Sequence, residues 1–451
     1  MGLGVHGGGV GVARFFARRG AKVLVTDLKK KEELRESIKA LSNLPIKYVL
    51  GEHREEDFKN ADLVIQNPAV PRDSKFLRIA RGAGVKIETD TGLFFELFKG
   101  LIIGITGTKG KTTTATLLYE ILKGAGIKTA VAGNIRVSML DILDEIDEKT
   151  TCVLELSSWQ LEGLLSHRKS PHIAVVLNVM PDHLDRYEDF DDYVRAKELI
   201  FRFQTKDDFL VLNFDDNHCQ GMAKKAVSKI FWFSRKKEVK RGVFVKNGEI
   251  FFRRGRAEKK SRHLLALSNI RLPGEHNIQN VLAAVTVAGI LDVKEKIIKK
   301  VVSRFKGVSF RLELVGEKNG LKYYNDSTAT NPGAAIAALD SFPEKVSLIA
   351  GGTDKNLDFE GLAKKVSEKA KKVVLFEGTA TEKLEPLLKK YLSKDVPVLK
   401  VNNMKEAVEK ATRGLQKGDI VLLSPGAASF GIFKNEFDRG EQFNEIVKNL
   451  N

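Results

Sequence analysis

Short apolar runs rich in β-branched residues alternate with amphipathic stretches along most of the chain. This alternation is typical of α/β proteins, in which buried parallel strands are joined by helices. The apolar runs predict strands over residues 22–27, 63–66, 101–105, 152–156, 173–178, 346–350, 372–376 and 420–424. Amphipathic stretches predict helices, among them 10–19 and 112–123. The fold class is therefore predicted to be α/β.

The pattern changes between residues 229 and 271, where apolar runs are separated by short turns. Runs at 231–233, 242–245 and 249–252, the last two joined by Asn247-Gly248, predict short antiparallel strands. A chain of 451 residues has room for about two to four domains. We predict a Rossmann-like N-terminal domain, a central P-loop ATPase-type parallel sheet with a small antiparallel sheet, and a Rossmann-like C-terminal domain. Their predicted ranges are 1–95, 96–308 and 309–451.

The first residues form a glycine-rich turn, Gly2-x-Gly4-x-x-Gly7, with no apolar run ahead of it. Because such a turn normally follows a central strand, we expect the coding sequence to begin upstream of Met1. The alternative is a sheet that lacks this strand. With Asp27 at the end of the next strand, the turn also allows a dinucleotide-dependent oxidoreductase. The oxidoreductase alternative accounts for no motif after residue 95. Tight NADH binding without ATPase activity would support it.

Composition and charge narrow the classes of function. The net charge is +17, but the lysines are spread over helix-like stretches without interleaved aromatic residues. A solvated surface is therefore favoured over a nucleic-acid groove. No apolar stretch reaches the ~18–20 residues that span a bilayer, and no signal peptide is evident, so we expect a cytoplasmic protein without membrane contact. Cys152 and Cys219 are expected to be reduced thiols.

A loop rich in glycine and lysine lies between the predicted strand 101–105 and the predicted helix 112–123. In such a loop, backbone N–H groups surround a triphosphate, a lysine binds its outer oxygens and a hydroxyl binds magnesium. Lys111 is the predicted phosphate lysine and Thr112 the magnesium-side hydroxyl. The strict P-loop pattern is not met, because Ile105 stands where its first glycine would be. The predicted ATP contacts in this loop are Gly107, Thr108, Lys109, Gly110, Lys111, Thr112 and Thr113.

Polar residues follow two further predicted strands. Glu155 ends the strand 152–156, and His183, between Asp182 and Asp185, follows the strand 173–178. Because the carboxyl ends of parallel strands converge on the ligand crevice, both side chains are candidates for a metal site. A solvated carboxylate and a structural histidine remain alternatives. Lys197 cannot be distinguished by pattern from the other cationic residues.

A series of segments occurs in the order and spacing of the Mur ligases, which extend the peptide of the bacterial cell-wall precursor. The segments are 106–112, 155–162, 181–186, 274–280, 325–331, 423–430 and 433–435. Glu-Leu-Ser-Ser-Trp-Gln-Leu-Glu at 155–162 and Ser-Pro-Gly-Ala-Ala-Ser-Phe at 424–430 resemble the MurD type. The resemblance covers nearly the whole chain.

The resemblance implies a ligase that uses ATP and two Mg²⁺ ions in peptidoglycan synthesis. The N-terminal domain would bind the UDP part of UDP-N-acetylmuramoyl-L-alanine, the central domain ATP and the C-terminal domain glutamate. ATP would phosphorylate the substrate carboxylate, and the glutamate amine would attack the acyl phosphate. A monomer that adds D-glutamate is expected. The alternatives are L-glutamate addition, another Mur or folylpolyglutamate-type ligase, and a non-catalytic ATP-gated module that binds a polyanion.

The resemblance also implies roles for individual residues. Lys111, His183 and Lys197 would be catalytic, with Lys197 carbamylated. Thr112, Glu155, His183 and Lys197 would hold the magnesium ions. The remaining ATP contacts would be Asn277, Asn280, Arg311 and Asp326. The substrate contacts would be Val5, His6, Asp27 and Asn134 for the UDP substrate, and Thr330, Lys355, Ser429 and Phe437 for glutamate, with Lys355 facing its side-chain carboxylate.

Two positions depart from the family's pattern. Thr328 stands where lysine usually follows Asn-Asp-Ser, which removes a cation near glutamate and phosphate. Lys109 stands where asparagine is most common. Because a branch of these ligases is thought to add L-glutamate, Thr328 leaves both stereoisomers open. The stretch Gly7-Gly8-Gly9 also differs from the usual type and weakens the uridine assignments.

Overall fold

The structure is a computed structural model that describes residues 1–4, 7–71, 73–135, 137–182, 186–255, 261–354 and 357–450. The chain forms two compact units. The first comprises Met1–Ile270 and Ile278–Ser303, and the second comprises Arg271–Asn277 and Arg304–Asn451. In the described ranges no helix is long and apolar enough to cross a membrane.

The first unit begins with alternating helices and short strands. These are α1 (Gly8–Arg18), β1 (Val23–Asp27), α2 (Arg35–Lys39), β2 (Ile46–Leu50), α3 (Glu55–Lys59), β3 (Leu63–Gln66), α4 (Lys75–Gly82), β4 (Lys86–Thr89) and α5 (Asp90–Leu97). Strand β1 pairs in parallel with β2, and β3 pairs in parallel with β4. Residues 1–3 lie between the two pairs, since Gly2 N donates to Thr26 O (2.8 Å) and Met1 N to Ile65 O (3.0 Å). Residues 1–3 therefore occupy the place of a central strand, although Gly2 has φ of 79° and is not in a strand conformation.

The rest of the first unit is built on one large sheet. Its elements, with a helix α10 that contributes to both units, are β5 (Ile102–Thr106), α6 (Lys111–Gly124), β6 (Thr129–Gly133), β7 (Thr151–Glu155), α7 (Ser158–Glu162), β8 (Ile173–Val176), α8 (Phe190–Glu198), β9 (Phe209–Asn213), α9 (Asn217–Ala223), β10 (Lys229–Ser234), β11 (Gly242–Lys246), β12 (Glu249–Arg253), β13 (Arg262–Ala266), α10 (Glu275–Ile290) and α11 (Glu295–Val302). The strand order is β13-β12-β11-β10-β9-β8-β5-β7-β6. Strands β5, β7 and β8 are buried along their whole length, as expected for parallel strands in the middle of a sheet covered on both faces.

One predicted strand direction is wrong. The segment 231–233 lies in β10, which pairs in parallel with both β9 and β11. Antiparallel pairing begins only between β11 and β12 and continues to β13. These strands extend the edge of the same sheet. The segment that connects β10 to β11 is short. The direction of β10 is nevertheless fixed by its pairing with β9, to which it is joined through a helix.

The second unit is a six-stranded α/β sheet. Its elements are β14 (Glu313–Lys318), β15 (Leu321–Asn325), α12 (Pro332–Asp340), β16 (Val346–Gly351), α13 (Glu360–Lys369), β17 (Ala370–Phe376), α14 (Thr379–Tyr391), β18 (Val398–Val401), α15 (Met404–Thr412), β19 (Ile420–Leu423) and α16 (Glu436–Lys448). The order is β14-β15-β19-β16-β17-β18, and only the β14–β15 pair is antiparallel. Separate buried clusters cover the two faces of the sheet. Because β15, β16 and β19 run in the same direction, the loops after them lie together at one sheet edge. The predicted boundaries at 95 and 308 stay predictions.

Candidate active site

The phosphate loop connects β5 to α6, as the sequence predicts. Gly110 precedes α6 with φ of 87°, a conformation that favours glycine. A Cβ atom at Gly110 would lie 2.1 Å from Oδ1 of Asn280. The loop therefore needs glycine here for two reasons, and Asn280 lies directly against it.

Residues that follow β8 hold the loop in place. The side chain of Asn178 accepts from Lys109 N (2.9 Å) and donates to Lys109 O (3.1 Å). The hydroxyl of Thr108 accepts from Met180 N (3.0 Å) and lies 3.2 Å from the Tyr193 hydroxyl. Neither Tyr193 nor Asn178 was predicted to hold this loop. The amide of Asn178, at the carboxyl end of a parallel strand, was the available signal.

Two lysines meet at one carbonyl of the loop. Lys111 Nζ donates to Gly107 O and Thr108 O, each at 3.0 Å. Lys197 Nζ, on α8, also donates to Gly107 O at 3.0 Å and lies 4.5 Å from the centre of the Tyr193 ring. The structure thus brings two of the predicted catalytic residues together, although they are far apart in sequence.

Burial distinguishes Lys197 from the other lysines. Its side chain is 1% exposed. Desolvation, assisted by the nearby charge of Lys111, holds the pKa of Lys197 well below its usual value. Among the described residues it forms no ion pair with a carboxylate at hydrogen-bonding distance. Burial therefore favours the neutral form of this amine over the charged form.

Glu155 lies beside the loop because its strand β7 pairs with β5 and sets it opposite Ile105. The side chain is 2% exposed. Its Oε1 accepts from Asn134 Nδ2 (2.9 Å), while its buried Oε2 accepts no hydrogen bond from the part of the chain that the structure describes. Gly133 permits this packing, since a Cβ there would lie 2.2 Å from Glu155 O.

The orphaned oxygen of Glu155 fits a divalent cation, which binds carboxylate oxygens. Thr112, in the first turn of α6, is half-buried. Asn134 donates to the Glu155 carboxylate, and its contact with the substrate stays a prediction. His183 lies outside the described residues. Over the described ranges no group of three His, Cys, Asp or Glu side chains is placed to hold a metal.

The segment after β7 is fixed by local hydrogen bonds. Ser157 caps α7 by accepting from Gln160 N (3.2 Å), and Gln160 Oε1 accepts from Ser157 N (3.1 Å). This reciprocal pair is a capping box, which satisfies two N–H groups at the start of a helix. Glu162 at the end of α7 accepts from the Tyr187 hydroxyl (2.9 Å). Arg186 and Tyr187 are thus anchored to the segment that follows Glu155.

In the second unit, Asp326 lies at the end of β15. It accepts hydrogen bonds from the Ser424 hydroxyl (2.8 Å) and from Leu312 N (3.2 Å). Burial outweighs these bonds and raises the pKa of Asp326 to about 7. Arg311 is exposed on a turn in which Phe310 and Leu312 have φ of 65° and 47°. Asn277, another predicted ATP residue, donates through Nδ2 to Pro273 O (2.7 Å).

Thr330 and Ser429, two of the predicted glutamate residues, lie in loops at one sheet edge. Gly426 N donates to Ala329 O (2.9 Å), which joins the loop that carries Thr330 to the loop that carries Ser429. Ser429 is 3% exposed, and Phe437 packs edge-to-face on Phe310 with ring centres 5.8 Å apart. Lys355 lies outside the described residues.

Asp27 ends β1 and accepts from Gly4 N (3.0 Å) and Lys29 N (2.9 Å). One carboxylate oxygen therefore holds Gly4 of the glycine-rich turn, and the other holds the loop that follows β1. Val5 and His6, the other two predicted uridine contacts, lie outside the described residues.

Three family models match the chain: a Mur ligase MurD-like N-terminal domain over residues 1–89, a Mur ligase middle domain over 105–288, and a Mur ligase glutamate ligase domain over 310–426. The UDP-N-acetylmuramoylalanine–D-glutamate ligase of Roseiflexus sp. (strain RS-1) is 45% identical over 100% of this chain and 98% of its own. The protein of the same name from Acetivibrio thermocellus is 39% identical over 98% of this chain and 95% of its own.

Solved structures share the fold. The UDP-N-acetylmuramate–alanine ligase MurC of Thermotoga maritima aligns with a TM-score of 0.62 and 20% identity, over 98% of this chain and 97% of its own. The full-length identities and the matched domains agree with the motifs described above. The chain belongs to the Mur ligase family and, within it, to the MurD type.

Proposed function

We propose that the protein is an ATP-dependent ligase that joins D-glutamate to UDP-N-acetylmuramoyl-L-alanine in peptidoglycan precursor synthesis. The observation that carries the proposal is the convergence of Lys111, Lys197 and Glu155 on one phosphate loop. The relatives that match over their full length are named for addition of D-glutamate, which favours that stereoisomer over L-glutamate.

In the proposed reaction, a carboxylate oxygen of the UDP substrate attacks the γ-phosphorus of ATP, and ADP leaves. The glutamate amine then attacks the carbonyl carbon of the acyl phosphate, an amide bond forms and inorganic phosphate leaves. Lys111 binds the phosphate oxygens as their negative charge shifts toward ADP. In the described structure its ammonium group is bound to loop carbonyls, so it exchanges these neutral partners for phosphate.

Magnesium would be held by Thr112, Glu155, His183 and Lys197, where it would neutralise charge on the phosphoryl group. The orphaned Oε2 of Glu155 supports this assignment. Lys197 is proposed to act as a carbamate: its neutral amine adds to carbon dioxide and releases one proton, which makes an anionic metal ligand. The burial of its amine beside Gly107 O supports this reaction, since a protonated amine could not attack.

The carbamate is tested by replacement of Lys197. We expect Lys197→Ala to lose most ligase activity and to be partly restored by short carboxylic acids, which would supply the missing oxygens. Wild-type activity in Lys197→Ala would refute the carbamate.

The substrates are tested by a phosphate-release assay with UDP-N-acetylmuramoyl-L-alanine and either D- or L-glutamate. Release stimulated by D-glutamate alone is expected. Release with L-glutamate alone would support the alternative stereochemistry, and release with neither would refute the proposal.

Two other classes of function have separate signatures. Tight NADH binding without ATPase activity would support the oxidoreductase alternative. Salt-sensitive nucleic-acid binding that changes in Lys111→Ala would support the polyanion-binding module.

A further inference from the structure

Arg439, the fourth residue of α16, is 0% exposed and ranks among the largest fully buried side chains of the described chain. Its Nε donates to the Ser327 hydroxyl (3.0 Å) and its Nη2 to Ser327 O (2.8 Å). Both terminal nitrogens also lie 3.3 Å from Ala427 O. The Ser327 hydroxyl in turn donates to Glu436 O (2.6 Å). Arg439 therefore joins the loop after β15, the loop after β19 and the first turn of α16.

The charge of Arg439 is not neutralised by a close carboxylate. Its acceptors are a hydroxyl and carbonyl oxygens, and no described Asp or Glu side chain lies within ion-pair distance of it. Burial lowers the pKa of Arg439 to about 10, and the more distant Glu436 and Asp326 only partly oppose this. The guanidinium thus stays cationic at neutral pH. A buried cation without a paired anion costs the folded state free energy. If Arg439 only filled space, an apolar side chain would therefore be more favourable at this position.

The three segments that Arg439 joins carry the residues predicted to grip glutamate. Thr330 follows Ser327 in the loop after β15, and Ser429 follows Ala427 in the loop after β19. Phe437 lies two residues before Arg439 on α16. Asp326, which is assigned to ATP, is held separately by Ser424 and Leu312. A loss of Arg439 should therefore disturb the glutamate loops more than the ATP residue.

We propose that Arg439 is a positioning residue of the glutamate subsite, which holds the two loops and α16 together and supplies a positive charge that favours an acidic amino acid. This inference rests on the proposed function. The planar guanidinium is suited to the task because one side chain can donate to Ser327 and Ala427 simultaneously.

The test compares Arg439→Lys and Arg439→Gln with the wild type, using whichever glutamate stereoisomer the wild type accepts. Because each lost hydrogen bond to a charged group is worth about tenfold or more, Arg439→Gln should raise the KM for glutamate by about 10–100-fold. Arg439→Lys keeps the positive charge but loses the planar set of guanidinium N–H donors. Its KM for glutamate should therefore lie between those of the wild type and Arg439→Gln. The KM for ATP should change by less than about threefold in both variants, because Asp326 keeps its own hydrogen bonds to Ser424 and Leu312.

Lys372→Met is the matched control. Lys372 is a cation of the same unit that donates only to the backbone carbonyls of Lys410 and Arg413. We expect this variant to melt at a lower temperature with unchanged KM values.

Three outcomes separate the inference from the proposed function. An unchanged KM for glutamate in Arg439→Gln would overturn the role of Arg439, as would a parallel rise in the KM values for glutamate and ATP. If Arg439→Gln does not fold, Arg439→Lys decides by the same comparison. A wild type that no glutamate stimulates would refute the proposed function itself, before any variant is compared.

Discussion

Replacement of Glu155 by glutamine should affect activity and stability in opposite directions. Glutamine keeps the size of the side chain, and its amide oxygen can still accept the hydrogen bond from Asn134 Nδ2 that Oε1 accepts in the wild type (2.9 Å). The change removes the negative charge at the buried Oε2, which accepts no hydrogen bond from the described residues. The substitution therefore replaces the charge proposed to bind magnesium with a neutral amide NH₂ group at the same position.

The magnitudes follow from the surroundings of Oε2. A charge-assisted contact is worth about 1.5–3 kcal/mol, so the magnesium concentration for half-maximal activity should rise by roughly 10–100-fold. Without magnesium, a buried carboxylate oxygen with no donor is a cost to the folded state. We expect Glu155→Gln to raise the free energy of unfolding by about 1 kcal/mol in the presence of EDTA.

Glu88→Gln is a control for which we expect the opposite change in the free energy of unfolding. Glu88 is also buried, but its two oxygens contact His167 Nε2 (2.7 Å) and Lys86 Nζ (2.9 Å). Its loss should lower the free energy of unfolding by about 1–3 kcal/mol without changing the magnesium dependence. The assays are phosphate release against magnesium concentration, and urea unfolding in EDTA. If Glu155→Gln destabilises the protein as Glu88→Gln does, and leaves the magnesium dependence unchanged, Glu155 is a structural residue and the assignment is wrong.

Two further predictions concern stability. Because the pKa of Asp326 is raised to about 7 in the folded protein, its carboxyl group ionises first in the unfolded chain as the pH rises from about 4 to 7. The free energy of unfolding of the wild type should therefore fall by up to about 1.4 kcal/mol per pH unit relative to that of Asp326→Asn. Urea unfolding of both proteins across this range checks the slope, and a constant difference would contradict the raised pKa. Ser157→Ala removes the cap of α7 and should cost about 1 kcal/mol, whereas Ser393→Ala, at an exposed serine, should be neutral. Equal unfolding midpoints for Ser157→Ala and Ser393→Ala would contradict the role of the cap.

Strands buried on both faces were predictable because they are continuous apolar runs. The runs at 101–105 and 152–156 form β5 and β7, which are buried along their whole length, with ends shifted by one residue. Residues 63–66 form β3 as predicted, although only Val64 of this strand is buried. The direction of β10 was not predictable from its own residues. Alternating burial along Phe231-Trp232-Phe233 is the same for parallel and antiparallel pairing, and the direction depends on partners outside the segment.

Arg439 shows a different limit of sequence reading. A charged residue near a helix start is ordinarily taken as exposed. Yet Arg439, Phe443 and Val447 recur at every fourth position and form the buried stripe of α16. This four-residue spacing is the sequence signal that Arg439 is buried. It places the charge on the apolar face, but only the packed loops reveal that Ser327 and Ala427 are its acceptors.

Burial also explains why the local sequence pattern identifies Lys111, whereas Lys197 is reached only through the family resemblance. Lys111 follows a glycine at a fixed place between a strand and a helix, and this local arrangement creates its chemistry. Lys197 is one of 75 cationic residues, and its chemistry arises from the absence of solvent around it. Both amines donate to Gly107 O, but Lys111 is only half-buried and keeps access to water, which suits a cation that binds phosphate. Lys197 packs against Tyr193, and burial holds its pKa well below the usual value, which suits the amine proposed to react with carbon dioxide. Burial therefore gives two identical side chains at one carbonyl opposite tasks.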